Sequence, residues 1–274
     1  MSLGSHGDAL LHRLAHAPAV RVVVARVQGS GPREPGAWMA VFDDAQVGTI
    51  GGGRLEFDAV ADARALLAGQ EVPAERRFPL GPALGQCCGG VVWLRYELLQ
   101  PSDLQGVREQ LQQDAGGQMS VALFGGGHVG AAIVGLLGTL PVRTLWFDSR
   151  DEVFPEDLPL NVQAEHSDPV QAAVATLPPG THVLIMSFSH AEDLDIVAAC
   201  LRRQRERADL PFIGLIGSKS KWATFRHRLE ARGFAEHELG WVTSPIGVPG
   251  VLGKEPEVIA VAVAAQLMQQ RPAG

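Results

Sequence analysis

The stretch that most constrains this chain is residues 121–130, VALFGGGHVG, an apolar run that reads as a β-strand and passes directly into Gly125, Gly127 and Gly130 at GxGxxG spacing. In such a turn the first glycine permits the tight bend, the second lets backbone approach a phosphate, and the third lets the following helix pack close to the strand. From His128 the pattern HVGAAIVGLLG reads as that helix, whose first N–H groups lack intrahelical partners and carry a partial positive charge. A second apolar run, VRTLWF, ends in Asp148, where an acidic side chain is placed to grip the ribose hydroxyls of a dinucleotide. Strand, glycines, helix, strand and acid in that order predict a Rossmann-type unit.

The rest of the chain beyond Ser120 extends this pattern. Strands are expected at 181–186 and 212–216, with helices at 191–203, 219–232 and 256–269. Alternating strands and helices imply a parallel sheet with helices on both faces, and ligands of such sheets collect outside the carboxyl ends of the strands. Three loops fall there: GGGH, SFSHAED and GSKSK. They bring forward His128, His190 beside Asp193 and Asp195, and Lys221; taken singly, each is also an ordinary helix-start or solvent-facing residue.

Before Ser120 the organisation differs. A short amphipathic helix at 8–17 precedes a valine-rich run at 20–27, read as a strand buried on both faces. A Gly/Pro-rich loop carrying Arg33 leads to strands at 38–42 and in VGTI. Gly51, Gly52 and Gly53 then open a helix pattern and form a second candidate anion cradle, or simply a tight strand-to-helix junction. Glu56 reads first as a solvated carboxylate in the first helical turn. In GPALGQCCGG, Cys87 and Cys88 lie between glycines in a loop, unlike Cys200, which sits in the helix pattern LDIVAACL as a packing residue. A loop thiolate suits a soft metal centre or a nucleophile, whereas zinc spacing is lacking. The expected layout is a smaller N-terminal α+β domain over 1–100, a linker helix over 101–118 and a Rossmann-like α/β domain over 119–274.

Composition narrows the function classes. A net charge of −7 without a long Lys/Arg block argues against a nucleic-acid partner. The apolar stretch VIAVAVAA is far shorter than the roughly 20 residues of a bilayer span, and MSLGSHGDALL lacks the basic start and apolar centre of a secretion signal. Three cysteines fit a reducing compartment, so the expectation is a cytoplasmic protein.

Taken together, GSGPREPGAWMAV, GTIGGGRLE, GPALGQCCGG, LFGGGHVG, SFSHAEDLD, GLIGSKSKWATFRHRLEARGF and SPIGVPGVLGKEPEVIAVAVAAQL resemble the xanthine dehydrogenase accessory protein family of the XdhC/CoxI type, over nearly the whole chain. The resemblance implies a chaperone, without turnover of its own, that binds the molybdenum cofactor (molybdopterin). It would protect the cofactor, support its sulfuration and insert it into apo xanthine dehydrogenase, with a cysteine desulfurase as a further partner. On that reading Gly51–Gly53 or Gly125–Gly130 cradle the cofactor's anionic tail, Arg54 and Glu56 line the cleft, and Cys87 or Cys88 supplies a soft molybdenum ligand, Cys88 being favoured. SFSH departs from the Thr-His pair of many relatives, although Ser189 keeps a hydroxyl.

Two other readings compete. An NAD(P)-dependent oxidoreductase would use Gly125, Gly127, Gly130 and Asp148 for the dinucleotide and His190 as general acid or base. A metal-dependent enzyme acting on nucleotides is compatible with a Rossmann unit as well. A homodimer is the commonest soluble assembly and is expected here.

Overall fold

The structure, a computed structural model, describes residues 6–81, 89–116 and 118–270. Two compact units divide the chain, one over His6–Leu111 and the other from Gln112 onward.

In the first unit, α1 (His6–Leu14) precedes β1 (Ala19–Gln28), β2 (Trp38–Val41) and β3 (Gln46–Gly48); α2 (Gly53–Leu67), β4 (Glu75–Pro79) and β5 (Val91–Leu99) follow. The strands form an antiparallel sheet in the order β3-β2-β1-β5-β4. Its inner face, Val20, Val22, Val24, Met39, Val41, Val92, Leu94 and Tyr96, packs with Leu55, Ala59 and Ala63 of α2. Full burial of a valine or leucine stabilises by about 1.5–3 kcal/mol relative to exposure, so this single layer of contacts sets the register of the sheet.

The valine-rich strand differs from expectation. Its burial alternates, with Val20, Val22 and Val24 buried while Arg21 and Val23 are only partly covered. β-branched side chains suit either face of a pleated strand, so an unbroken valine run does not by itself mean two covered faces.

A 3-10 turn (Pro101–Asp103) and α3 (Leu104–Gly116) carry the chain onward, the turn opened by Gln100 N–H donating to the Asp103 carboxylate at 2.8 Å. The second unit holds β6 (Met119–Phe124), α4 (His128–Leu137), β7 (Val142–Asp148), β8 (Val162–His166), β9 (His182–Ile185) and α5 (His190–Arg207). After these come β10 (Phe212–Leu215), α6 (Lys219–Ala231), α7 (Glu236–Leu239), β11 (Val242–Thr243) and α8 (Pro256–Gln269). All strands are parallel in the order β11-β10-β9-β6-β7-β8. Counted from β6, this is the 3-2-1-4-5-6 order of the Rossmann fold, with its switch point between β6 and β9.

The two faces of this sheet bury separate cores. Phe124, Ile185, Leu215 and the strand residues beside them pack with α5, α6 and a 3-10 segment (Val170–Thr176). On the opposite face Leu123, Trp146 and Leu184 pack with Ile133 and Leu137 of α4 and Val263 and Leu267 of α8. Near-continuous apolar strands such as HVLI and FIGL, buried at every position, follow from cover on both sides. Cys200 lies in the first of these cores, wholly buried, and burial pushes its thiol up to about 12, so it is an inert packing residue. No helix among the described residues is long and apolar enough to cross a membrane.

Candidate functional site

The glycine turn at the mouth of β6 separates the roles of its residues. Gly125 has φ of 128°, and a β-carbon there would overlap the Met186 carbonyl oxygen; one at Gly130 would overlap the carbonyl of Gly125. These two glycines are therefore demanded by chain packing. Gly127 is different: it is exposed, its φ of −71° suits any residue, and a β-carbon would meet nothing within 4 Å. As N-cap of α4 it makes no side-chain capping bond, so the first-turn N–H groups of that helix have no acceptor from the cap residue, and His128 beside it is exposed. An anion approaching backbone at this point would find both donors and room.

Asp148 occupies the end of the neighbouring strand, as the spacing predicts, but its partners are the protein's own. Oδ2 accepts from the Gly126 N–H at 2.6 Å and from Arg150 Nη2 at 3.0 Å; Oδ1 accepts from the Arg150 N–H and Nε, each at 2.9 Å. A carboxylate offers about four acceptor positions, and four donors fill them. Burial would raise the Asp148 pKa, yet the bonds from Arg150 and Gly126 outweigh it and hold the carboxyl below its ordinary value. The Arg150 guanidinium lies 4.5 Å from the ring centre of Phe188, which projects into solvent from the mouth of β9, on the far side of β6.

Farther along the same edge, Asp193 gathers a second polar knot. Oδ1 accepts from the Ser187 N–H at 2.7 Å and its hydroxyl at 2.8 Å, and Oδ2 accepts from Lys221 Nζ at 2.6 Å. Lys221 donates as well to the Ile216 carbonyl at 3.0 Å, so its ammonium is held inward, not extended toward a ligand. His190 begins α5, exposed and edge-on to Phe225 at 6.2 Å, while Ser189 caps the helix by accepting from the Glu192 N–H. The Ser189 hydroxyl thus has a structural task.

In the first unit Gly51, Gly52 and Gly53 have φ of 118°, 74° and 66°, a run that only glycine adopts without strain. This loop is already turned onto a carboxylate. Glu56 Oε2 accepts from the Ile50 N–H at 2.9 Å, the Gly52 N–H at 3.1 Å and the Thr49 hydroxyl at 2.5 Å, while Oε1 accepts from Gln46. Gly51 N–H donates to Thr49 Oγ1. Burial works to raise the Glu56 pKa, but the bonds from Thr49, Gln46, Gly52 and Ile50 together lower it. Arg54 pairs with Asp58 at 2.8 Å, one helical turn on. Glu56→Ala is expected to leave these donors without an acceptor and destabilise the unit by about 1–3 kcal/mol, read as a lower urea midpoint. An unchanged midpoint would show that Glu56 does not organise the loop.

Cys87 and Cys88 lie outside the described residues. Among the described residues, no three His, Cys, Asp or Glu side chains stand where they could hold a metal ion. Sequence reading missed Arg150 and Phe188; an arginine two residues beyond a strand-end acid was the available signal. It also missed that Glu56 serves the loop itself, which no spacing rule reveals.

Comparison with known proteins places these elements. Residues 121–267 match the family described as the XdhC Rossmann domain, and residues 12–78 match the XdhC and CoxI family. The protein YqeB of Escherichia coli K12, described as uncharacterized, is 25% identical over 255 residues, 88% of this chain. The chain spans 41% of the length of that relative. A Bacillus halodurans crystal structure, described as a xanthine dehydrogenase, superimposes with a TM-score of 0.67 at 21% identity, covering 97% of this chain and 95% of that one. At that identity the likeness concerns the fold.

Proposed function

Because the chain belongs to the XdhC and CoxI family, we propose that it binds the molybdenum cofactor, protects it, supports its sulfuration and inserts it into an apo xanthine dehydrogenase. The family's association with xanthine dehydrogenase and its cofactor supports the reading. The geometric observation that carries it is the uncapped, unobstructed start of α4 at Gly127, which fits the anionic tail of a pterin phosphate or nucleotide. Gly51–Gly53 fit that tail less well, since the Ile50 and Gly52 N–H groups are taken by Glu56 and that of Gly51 by Thr49.

When bound, the cofactor supplies a molybdenum centre with soft sulfur chemistry; the chain binds, orients and shields it. A thiolate from Cys88, or from Cys87, is the proposed soft ligand. Chaperoning needs no turnover by this chain. The proposed setting is the cytoplasm, with the recipient enzyme and a cysteine desulfurase as partners and a homodimer as the assembly.

Titrating purified protein with molybdenum cofactor and assaying retained metal tests the binding step. About one molybdenum per chain is expected, with binding weakened at least about tenfold by Cys88→Ala, because loss even of outer-shell groups weakens metal sites by about 10–100-fold. Full retention by both single-cysteine variants would remove the thiols from the account.

A second reading, a NAD(P)-dependent oxidoreductase, draws on the strand order and the open Gly127 position. Against it stands Asp148: its acceptor positions are filled by Gly126 and Arg150, so gripping a ribose diol would require Arg150 to leave. Micromolar NADH or NADPH binding with hydride transfer would favour this reading.

A further inference from the structure

On the face of the Rossmann unit that carries α4 and α8 there is a cavity of about 690 Å³. Ala131 and Gly135 of α4, Val261 of α8, Trp146, Phe154 and Leu158 line it. Its floor is fixed: Trp146 is 1% exposed, meets Phe154 edge-on at 5.2 Å and donates through Nε1 to the Gly125 carbonyl at 3.0 Å. The lining contains no lysine, arginine or histidine, but it includes Asp157 and Glu257. Asp151, Glu152 and Glu156 stand exposed on the same loop as Asp157, and none of these five carboxylates makes an ion pair with a described residue. Of the cations adjacent in sequence, Arg150 is bound to Asp148 and Lys254 does not line the cavity.

We infer that this cavity docks a basic segment of a partner protein, one that inserts an apolar side chain and flanks it with lysines or arginines. An apolar floor gains by burying such an anchor, and uncompensated carboxylates around it select positive charge and speed its approach. The charges continue along the 151–157 loop beyond the cavity, so an occupant that satisfies them extends past it, as a peptide segment does and a small cation does not. The inference does not depend on the cofactor reading.

Gly135 supplies a clean block. A β-carbon there meets nothing within 4 Å, so Gly135→Leu fills the cavity from a helical position where glycine is a poor helix former. The experiment titrates the full-length chain against a fluorescein-labelled amphipathic Leu/Lys peptide and its Leu/Glu counterpart, read by anisotropy at low and moderate salt. The Leu/Lys peptide is expected to bind and to weaken with salt, and the Leu/Glu peptide not to bind. Gly135→Leu should weaken binding by roughly tenfold or more with Tm unchanged or raised, and Asp157→Asn with Glu257→Gln should weaken it by about threefold or more. Equal binding of the Leu/Glu peptide, or binding indifferent to Gly135→Leu, would overturn the inference. So would a wild-type dimer that Gly135→Leu dissociates, or a simple alkyltrimethylammonium binding as tightly as the peptide.

Discussion

Gly125→Ala is expected to leave the Rossmann unit unfolded or insoluble. The backbone at this position has φ of 128°, where an L-residue is strained by about 1–3 kcal/mol, and the new methyl would overlap the Met186 carbonyl oxygen of β9's end. Neither partner can yield cheaply: Gly125 N–H is bound to the Phe147 carbonyl at 2.8 Å, and Met186 N–H to the Phe124 carbonyl at 2.8 Å. A combined loss above about 4 kcal/mol takes much of the 5–15 kcal/mol that holds a typical domain together. Gly127→Ala, two residues on, is the control. With φ of −71° and open space around it, it should melt close to wild type while crowding any anion at the helix start. Thermal melts by circular dichroism compare them, and similar Tm values for both variants would contradict the division of labour among these glycines.

The second large effect concerns Asp148. Removing its carboxylate in Asp148→Ala deprives the Gly126 N–H and the Arg150 guanidinium of their partner at a position whose side chain is 1% exposed. Arg150 is 37% exposed and can recover water, so the expected loss is about 2–4 kcal/mol, below that of severing a fully buried pair. Acid should narrow the difference between variant and wild type. Because the folded-state pKa of Asp148 is depressed, its contribution is fully present above the unfolded value of about 3.9 and is lost as pH falls through the lower folded value. Urea midpoints of the two proteins should therefore differ by a constant amount from neutral pH down to about pH 5 and converge below pH 4. A gap that persisted undiminished in acid would mean that the carboxylate's charge is not what holds the turn.

These two residues mark how far pattern reading goes. The run VALF, the glycines and the helix after them were legible because each obeys a local rule: apolar continuity for a doubly covered strand, small residues where backbones meet, 3.6-residue periodicity thereafter. β8, reading VQAEH, was not, since an edge strand with only Val162 buried shows little hydrophobic pattern; nor was β11, two residues long. Asp148 lay where the spacing placed it, yet its hydrogen-bond partners depend on how Arg150 folds back, and side-chain closure of that kind leaves no periodic trace. Glu56 illustrates the same limit. Its position in the first helical turn was legible, whereas its bonds to Ile50, Gly52 and Thr49 arise only when three successive left-handed glycines turn those groups toward it. Lys221, read as facing an anion or simply solvent, is bonded to Asp193, because a buried carboxylate needs a counter-charge.

The carrier account rests most directly on delivery. Purified chain loaded with molybdenum cofactor, mixed with apo xanthine dehydrogenase in increasing ratios, should restore activity in proportion to the amount of loaded chain and level off near equivalence. The Cys87→Ala, Cys88→Ala double variant, given the same cofactor, should restore little. Activity restored equally by that variant, or by free cofactor without the chain, would contradict the account.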